Sequence, residues 1–184
     1  MKKVLCILLS LCLLISFTAC SKKEDTSKKS DLDLEYYAKT GEIPECKYKL
    51  GSDVETIKNE LSSFAESEEG AETLYDVIEG DETSYVTDGN YQFYYKNDNE
   101  DEGISYIVSF STAYGFETGE LILNVKEKLG DIIYIEEAID DENAFFLFVP
   151  IEGSVIKCEF EKNTVMFVFE NNALCATAIY NNEF

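Results

Sequence analysis

The chain contains no histidine among its 184 residues. That removes the commonest general base and nucleophile activator, so neither a Ser–His nor a Cys–His pair can be assembled. The 37 Asp and Glu residues could supply an acid–base pair, but they gather in loop-like charge runs, which are ordinarily solvated. No enzymatic activity and no cofactor are therefore expected. One acidic run merits a metal reading. Asp98, Glu100 and Glu102, followed by Gly103, place oxygen ligands at alternating positions before a glycine, as in the first half of an EF-hand loop. The twelfth position is Ser109 rather than a bidentate glutamate, so the expected state is an acidic hairpin loop without metal. Residues 140–143 have the same two readings.

Thiols are the other reactive groups. Cys6 and Cys12 lie in an apolar leader, leaving Cys20, Cys46, Cys158 and Cys175. Their spacing fits no zinc motif. Cys158 and Cys175 fall in neighbouring expected strands and form the favoured disulfide pair, although connectivity does not follow from sequence.

The leader itself occupies residues 1–19: Lys2 and Lys3, an apolar run over residues 4–14, and Ala19 directly before Cys20. A short basic start, an apolar core and a small residue before the cut mark a secretory signal peptide. With a cysteine next, the stretch resembles the signal of bacterial lipoproteins. That resemblance implies cleavage before Cys20 and acylation of its thiol. Residues 20–33 then form a disordered tether in which four lysines balance four carboxylates. The basic set is lysine alone, and Asn, Ile, Tyr and Glu are abundant, a bias expected of a Gram-positive bacterium. The expected location is the extracytoplasmic face of the cell membrane, held only through the lipid on Cys20.

From residue 34 onward nine lysines face 33 carboxylates. An acidic body of this kind is repelled by nucleic acid and by anionic headgroups, and suits a partner with a basic surface. The partner class expected is an envelope or extracellular protein, with no nucleic acid.

The acidic body says one thing twice. Gly51, Val54, Ile57, Lys58 and Leu61 recur as Gly119, Ile122, Val125, Lys126 and Leu129, each 68 residues on. The spacing predicts two short helices, over residues 53–65 and 120–129, each burying one stripe. Ser52 and Glu55 read as a capping box, and Gly130 as a helix stop. Short Tyr-, Val-, Ile- and Phe-rich runs follow each helix. In the first half they cover residues 74–78, 84–87, 91–96 and 104–110, with Asp88-Gly89 as the strongest hairpin signal. In the second half they cover residues 132–138, 144–149, 155–160, 164–169 and 173–180. Residues 91–95 match 165–169, and residues 104–110 match 174–180. The expected fold is α+β: a tandem repeat of one short helix plus a four-stranded antiparallel meander, over residues 34–115 and 116–184.

A glycine-led helix followed by a four-stranded meander, present twice, resembles the β-lactamase inhibitor protein fold and the related single-module lipoprotein of the outer-membrane β-barrel assembly machinery. The resemblance implies two modules side by side, their sheets forming one curved surface with the helices on its other face. It also implies a binding role, inhibitory or scaffolding, toward an envelope enzyme.

Several strands are apolar on both faces, although one face suffices to cover the helices. The second face then offers Tyr85, Tyr94, Ile107, Phe145, Met166 and Val168, a tyrosine-rich apolar surface ringed by carboxylates. The expected function is a membrane-anchored protein-binding module using that face. The alternative is a cation- or small-ligand-binding lipoprotein using its acidic loops.

Overall fold

A computed structural model describes residues 33–67, 70, 74–139 and 153–183. Within them the chain is α+β, with three helices and one eight-stranded antiparallel sheet. The leader, Cys20, most of the tether and the expected strand over residues 144–149 lie outside the described residues.

The first helix, α1 (Leu34–Thr40), is capped by Asp33, whose carboxylate accepts from the Tyr36 N–H at 3.0 Å, and stops at Gly41, φ 72°. Helix α2 (Val54–Ala65) starts one residue later than expected. Its cap is Asp53, which accepts from the Thr56 N–H at 2.7 Å, while Ser52 turns back to accept from the Lys49 N–H at 3.0 Å. The carboxylate at Asp53 displaces the expected capping box, because it brings negative charge to the helix start as well as an acceptor. Val54 and Ile57 are buried and Leu61 is partly so, but Phe64 is 42% exposed, against expectation. Helix α3 (Ile122–Leu129) buries Ile122, Val125 and Leu129, and Gly130 ends it at φ 59°.

The strands are β1 (Asp76–Ile78), β2 (Thr83–Thr87), β3 (Tyr91–Lys96), β4 (Tyr106–Ser109), β5 (Ile135–Ala138), β6 (Gly153–Glu159), β7 (Asn163–Glu170) and β8 (Ala173–Asn181). Their spatial order is β1-β2-β3-β4-β8-β7-β6-β5. Each helix-led half is thus a meander, and the halves join through their last strands, with Tyr106 opposite Tyr180 and Ser109 opposite Thr177. Asp88 builds the β2–β3 turn by accepting from the N–H groups of Asn90 and Tyr91 at 2.9 and 2.8 Å.

One contact recurs in both halves. The Gly51 N–H donates to the Ile104 carbonyl and the Gly119 N–H to the Leu174 carbonyl, each at 2.7 Å. The return bonds, Ile104 N–H to Ser52 and Leu174 N–H to Glu120, are 2.9 and 2.8 Å. Both glycines have positive φ, 78° and 90°, with open space where a Cβ would stand. Glycine is there for its backbone conformation, not for close packing.

The main core lies between helices and sheet and is continuous across both halves. Helix α1 is tied to the second half by the buried Asn163 side chain of β7, which donates to the Ala38 carbonyl at 2.5 Å, and just beyond the helix the Tyr114 hydroxyl donates to the Glu42 carbonyl at 3.0 Å.

Candidate binding face

Strand alternation sends the other set of side chains to the sheet face away from the helices. There the register aligns four tyrosines in one cross-strand row: Tyr85 opposite Tyr94, Tyr94 opposite Tyr106, and Tyr106 opposite Tyr180. Ring centroids are 4.9, 5.1 and 5.6 Å apart, the contact range in which aromatic pairs add to simple burial. The Tyr94 hydroxyl donates to the Gln92 side-chain oxygen at 2.7 Å. Val108, Ile139, Val155, Met166, Val168, Ala176 and Ala178 are the other buried members of this second apolar cluster.

Tyr94, Met166 and Val168 therefore do come together, with Tyr85 packed against them. Their exposure differs from expectation. Tyr94 is 3%, Met166 4% and Val168 0% exposed, so the middle of the face is a second core rather than an open surface. Burial pushes the Tyr94 and Tyr106 hydroxyls well above the ordinary tyrosine range. Tyr85 and Tyr180, at the two ends of the row, are only half-buried. Ile107 belongs to the opposite face: it is fully buried in the helix-side core, because it is one residue from Tyr106 and so points the other way. Phe145 lies outside the described residues.

Beyond Tyr85, the same face continues to the pair Thr83 and Lys96. These two residues, with Asp81, Glu82, Asn97 and Asp98, line a cavity of about 470 Å³. Asn97 organises its wall by donating to the Gly80 and Asp81 carbonyls at 2.7 and 3.2 Å and accepting from the Ser84 hydroxyl at 2.6 Å. Asp81, Glu82 and Asp98 are exposed. A carboxylate-lined recess beside an accessible tyrosine is a setting for a cationic side chain. Composition indicated an acidic rim. The pairing of Thr83 with Lys96, which puts this recess two residues along β2 and β3 from the Tyr85–Tyr94 pair, could be inferred only from strand register.

The remaining expectations fall elsewhere. Glu100, Asp101 and Glu102 form a short 3-10 turn, and the Glu100 carboxylate stands 3.9 Å from the Lys58 ammonium. Among the described residues no three acidic or thiol groups converge to hold a metal, and Asp98 belongs to the cavity wall instead. Cys158 and Cys175 are free thiols, as is Cys46. Cys158 is in the helix-side core and Cys175 packs on the second face, with β7 between their strands. A disulfide cannot pass through a sheet, so the expected pairing is corrected. Cys175 instead donates its S–H to the Val168 carbonyl at 3.3 Å.

Comparison of the chain with protein-family models, curated proteins and solved structures finds no match.

Proposed function

We propose that this chain is an acylated extracytoplasmic binding module, built from two copies of one helix-plus-meander unit, that holds a protein partner with a basic surface. The observation that carries the reading is the tyrosine row ending at half-buried Tyr85 beside the recess of Asp81, Glu82 and Asp98. Tyr85 supplies apolar contact at low entropic cost, and the carboxylates select a lysine or arginine. Partner contact is centred on this end, since Met166 and Val168 are dry already.

Charge supports the same partner class. Among the described residues, Lys47, Lys49, Lys58, Lys126, Lys128 and Lys157 pair with carboxylates of the chain itself. With 33 carboxylates against nine lysines, an excess of 33 − 9 = 24 negative charges is left to draw in a cationic surface. The matched glycine contacts at Gly51 and Gly119 support duplication, and duplication followed by divergence of loops gives one acid-lined recess on a two-module scaffold. The resemblance to β-lactamase inhibitor proteins points to the same division of labour, helices on one face and recognition on the other.

The test is a titration of the full chain with fluorescein-labelled hexalysine and with labelled hexaglutamate. Binding of the cationic probe alone, weakened by salt and reduced about tenfold by Asp81→Asn with Asp98→Asn, supports the reading. Equal binding of both probes, or indifference to the double variant, rejects the recess.

A further inference from the structure

Alternation along β1 sets three features in a line on the tyrosine face. Val77 packs against the helix-side core, so its neighbours Asp76 and Ile78 turn to the other face. The register agrees: Ile78 stands opposite Tyr85, which packs in the second cluster, and Asp76 stands opposite Thr87. Both β1 side chains are exposed, Ile78 at 38%. The Val77 N–H donates to the Asp76 carboxylate at 2.8 Å, which fixes its orientation.

Two residues beyond Ile78 comes Gly80, set against Thr83 so closely that a Cβ would strike the Thr83 carbonyl oxygen. With no side chain at that place, the line continues into the recess of Asp81, Glu82 and Asp98. This end is held rigidly. The Asn97 side chain ties the Gly80 and Asp81 carbonyls to the end of β3. The Asn97 N–H donates to the Glu82 carbonyl at 3.0 Å, and the Gly80 N–H to the Ser84 hydroxyl at 3.3 Å. The carboxylates of Asp81 and Glu82 thus sit on a turn whose backbone is fixed before a partner arrives, which lowers the cost of binding.

Along the strand the order is carboxylate, apolar side chain, carboxylates, with each step two residues or about 6.8 Å. An extended chain repeats its own side chains on one side at the same interval. We infer that this margin of the sheet is a track for an extended segment in which cationic residues flank an aliphatic one at alternate positions. One cation meets Asp76, the aliphatic side chain covers Ile78 and Tyr85, and the next cation enters the recess. Charge complementarity selects the two outer positions, and loss of water from Ile78 selects the middle one. The inference rests on the cationic-partner reading above and adds to it the conformation and spacing of the bound segment.

Two labelled peptides of identical composition, titrated against the full chain beside labelled hexalysine, test the inference. Three repeats of Lys-Ser-Leu-Ser put lysine and leucine on one side of an extended chain. Three repeats of Lys-Leu-Ser-Ser put them on opposite sides. The expected result is roughly fivefold tighter binding of the first peptide than of the second. Ile78→Thr keeps a β-branched residue at an exposed strand position and should bring that ratio to about one. Asp76→Asn should weaken the first peptide with unchanged circular dichroism. Equal binding of the two peptides, with hexalysine still bound, overturns the inference and leaves the cationic reading standing. A preference that survives both variants also overturns it. Failure of hexalysine and both peptides alike overturns the inference and the reading together.

Discussion

Gly119 donates its backbone N–H to the Leu174 carbonyl at the same 2.7 Å that separates Gly51 from Ile104. In each half this contact ties the entry of a helix to the start of the last strand, and so sets the helix over the meander that follows it. Because no atom lies within 4 Å of either missing Cβ, Gly51→Ala and Gly119→Ala should each cost about 1–2 kcal/mol, the strain of a left-handed alanine. Gly103 also has positive φ, 74°, but a Cβ there would stand 2.6 Å from the Ser52 carbonyl oxygen and 2.9 Å from Gly51 backbone atoms. Gly103→Ala should cost roughly 3 kcal/mol or more. Denaturant unfolding of the three variants checks the order.

Asn163→Ala should destabilise by about 1–3 kcal/mol, since it leaves the Ala38 carbonyl buried without its donor. The loss should appear in the global unfolding transition. Helix α1 is part of the continuous core rather than of the tether. A separate early transition confined to the N-terminal segment would contradict this.

Met166→Ala and Tyr85→Ala separate core from surface on one sheet face. Met166 is nearly solvent-free, so its truncation should cost about 2–5 kcal/mol and affect binding only through folding. Tyr85→Ala should lower stability less and weaken cationic-probe binding directly. Melting temperature and affinity measured side by side give the answer.

Alkaline pH should unfold the protein. Burial raises the Cys46 thiol to about 11 and the Cys158 thiol to about 12 from an ordinary 9.0. Between those values the unfolded chain loses protons that the folded chain retains. Stability is full below pH 9 and falls as pH rises toward 12. The hydroxyls of Tyr94, Tyr106 and Tyr114, pushed up chiefly by burial, extend the same trend. Tyrosinate absorbance from these residues should rise together with loss of the circular dichroism signal, and Cys158→Ala should make the alkaline limb shallower.

Element identity was legible because it follows from local chemistry. The glycine-led stripe of Val54, Ile57 and Leu61 wrote a helix, and Asp88-Gly89 wrote a hairpin turn, which the structure holds through the Asp88 carboxylate. The cap at Asp53 was not legible because Ser52 and Glu55 fit a capping-box pattern equally well, and only backbone geometry separates two adjacent acceptors. Ile107 went to the wrong face because one residue of register reverses a strand's side chains. The Cys158–Cys175 pairing failed for a related reason: neighbours in sequence order, β6 and β8, have β7 between them in space. The recess beside Tyr85 depends on which residues of β2 and β3 stand opposite each other, a non-local fact with no composition signal.

The most direct test of the binding role is capture from a cell-envelope extract by the full chain, beside a variant with Tyr85→Ala, Asp81→Asn and Asp98→Asn. The account predicts one stoichiometric basic protein on the wild-type chain, released by salt and missing from the variant. A protein retained equally by both, or one held more tightly as salt rises, would contradict it.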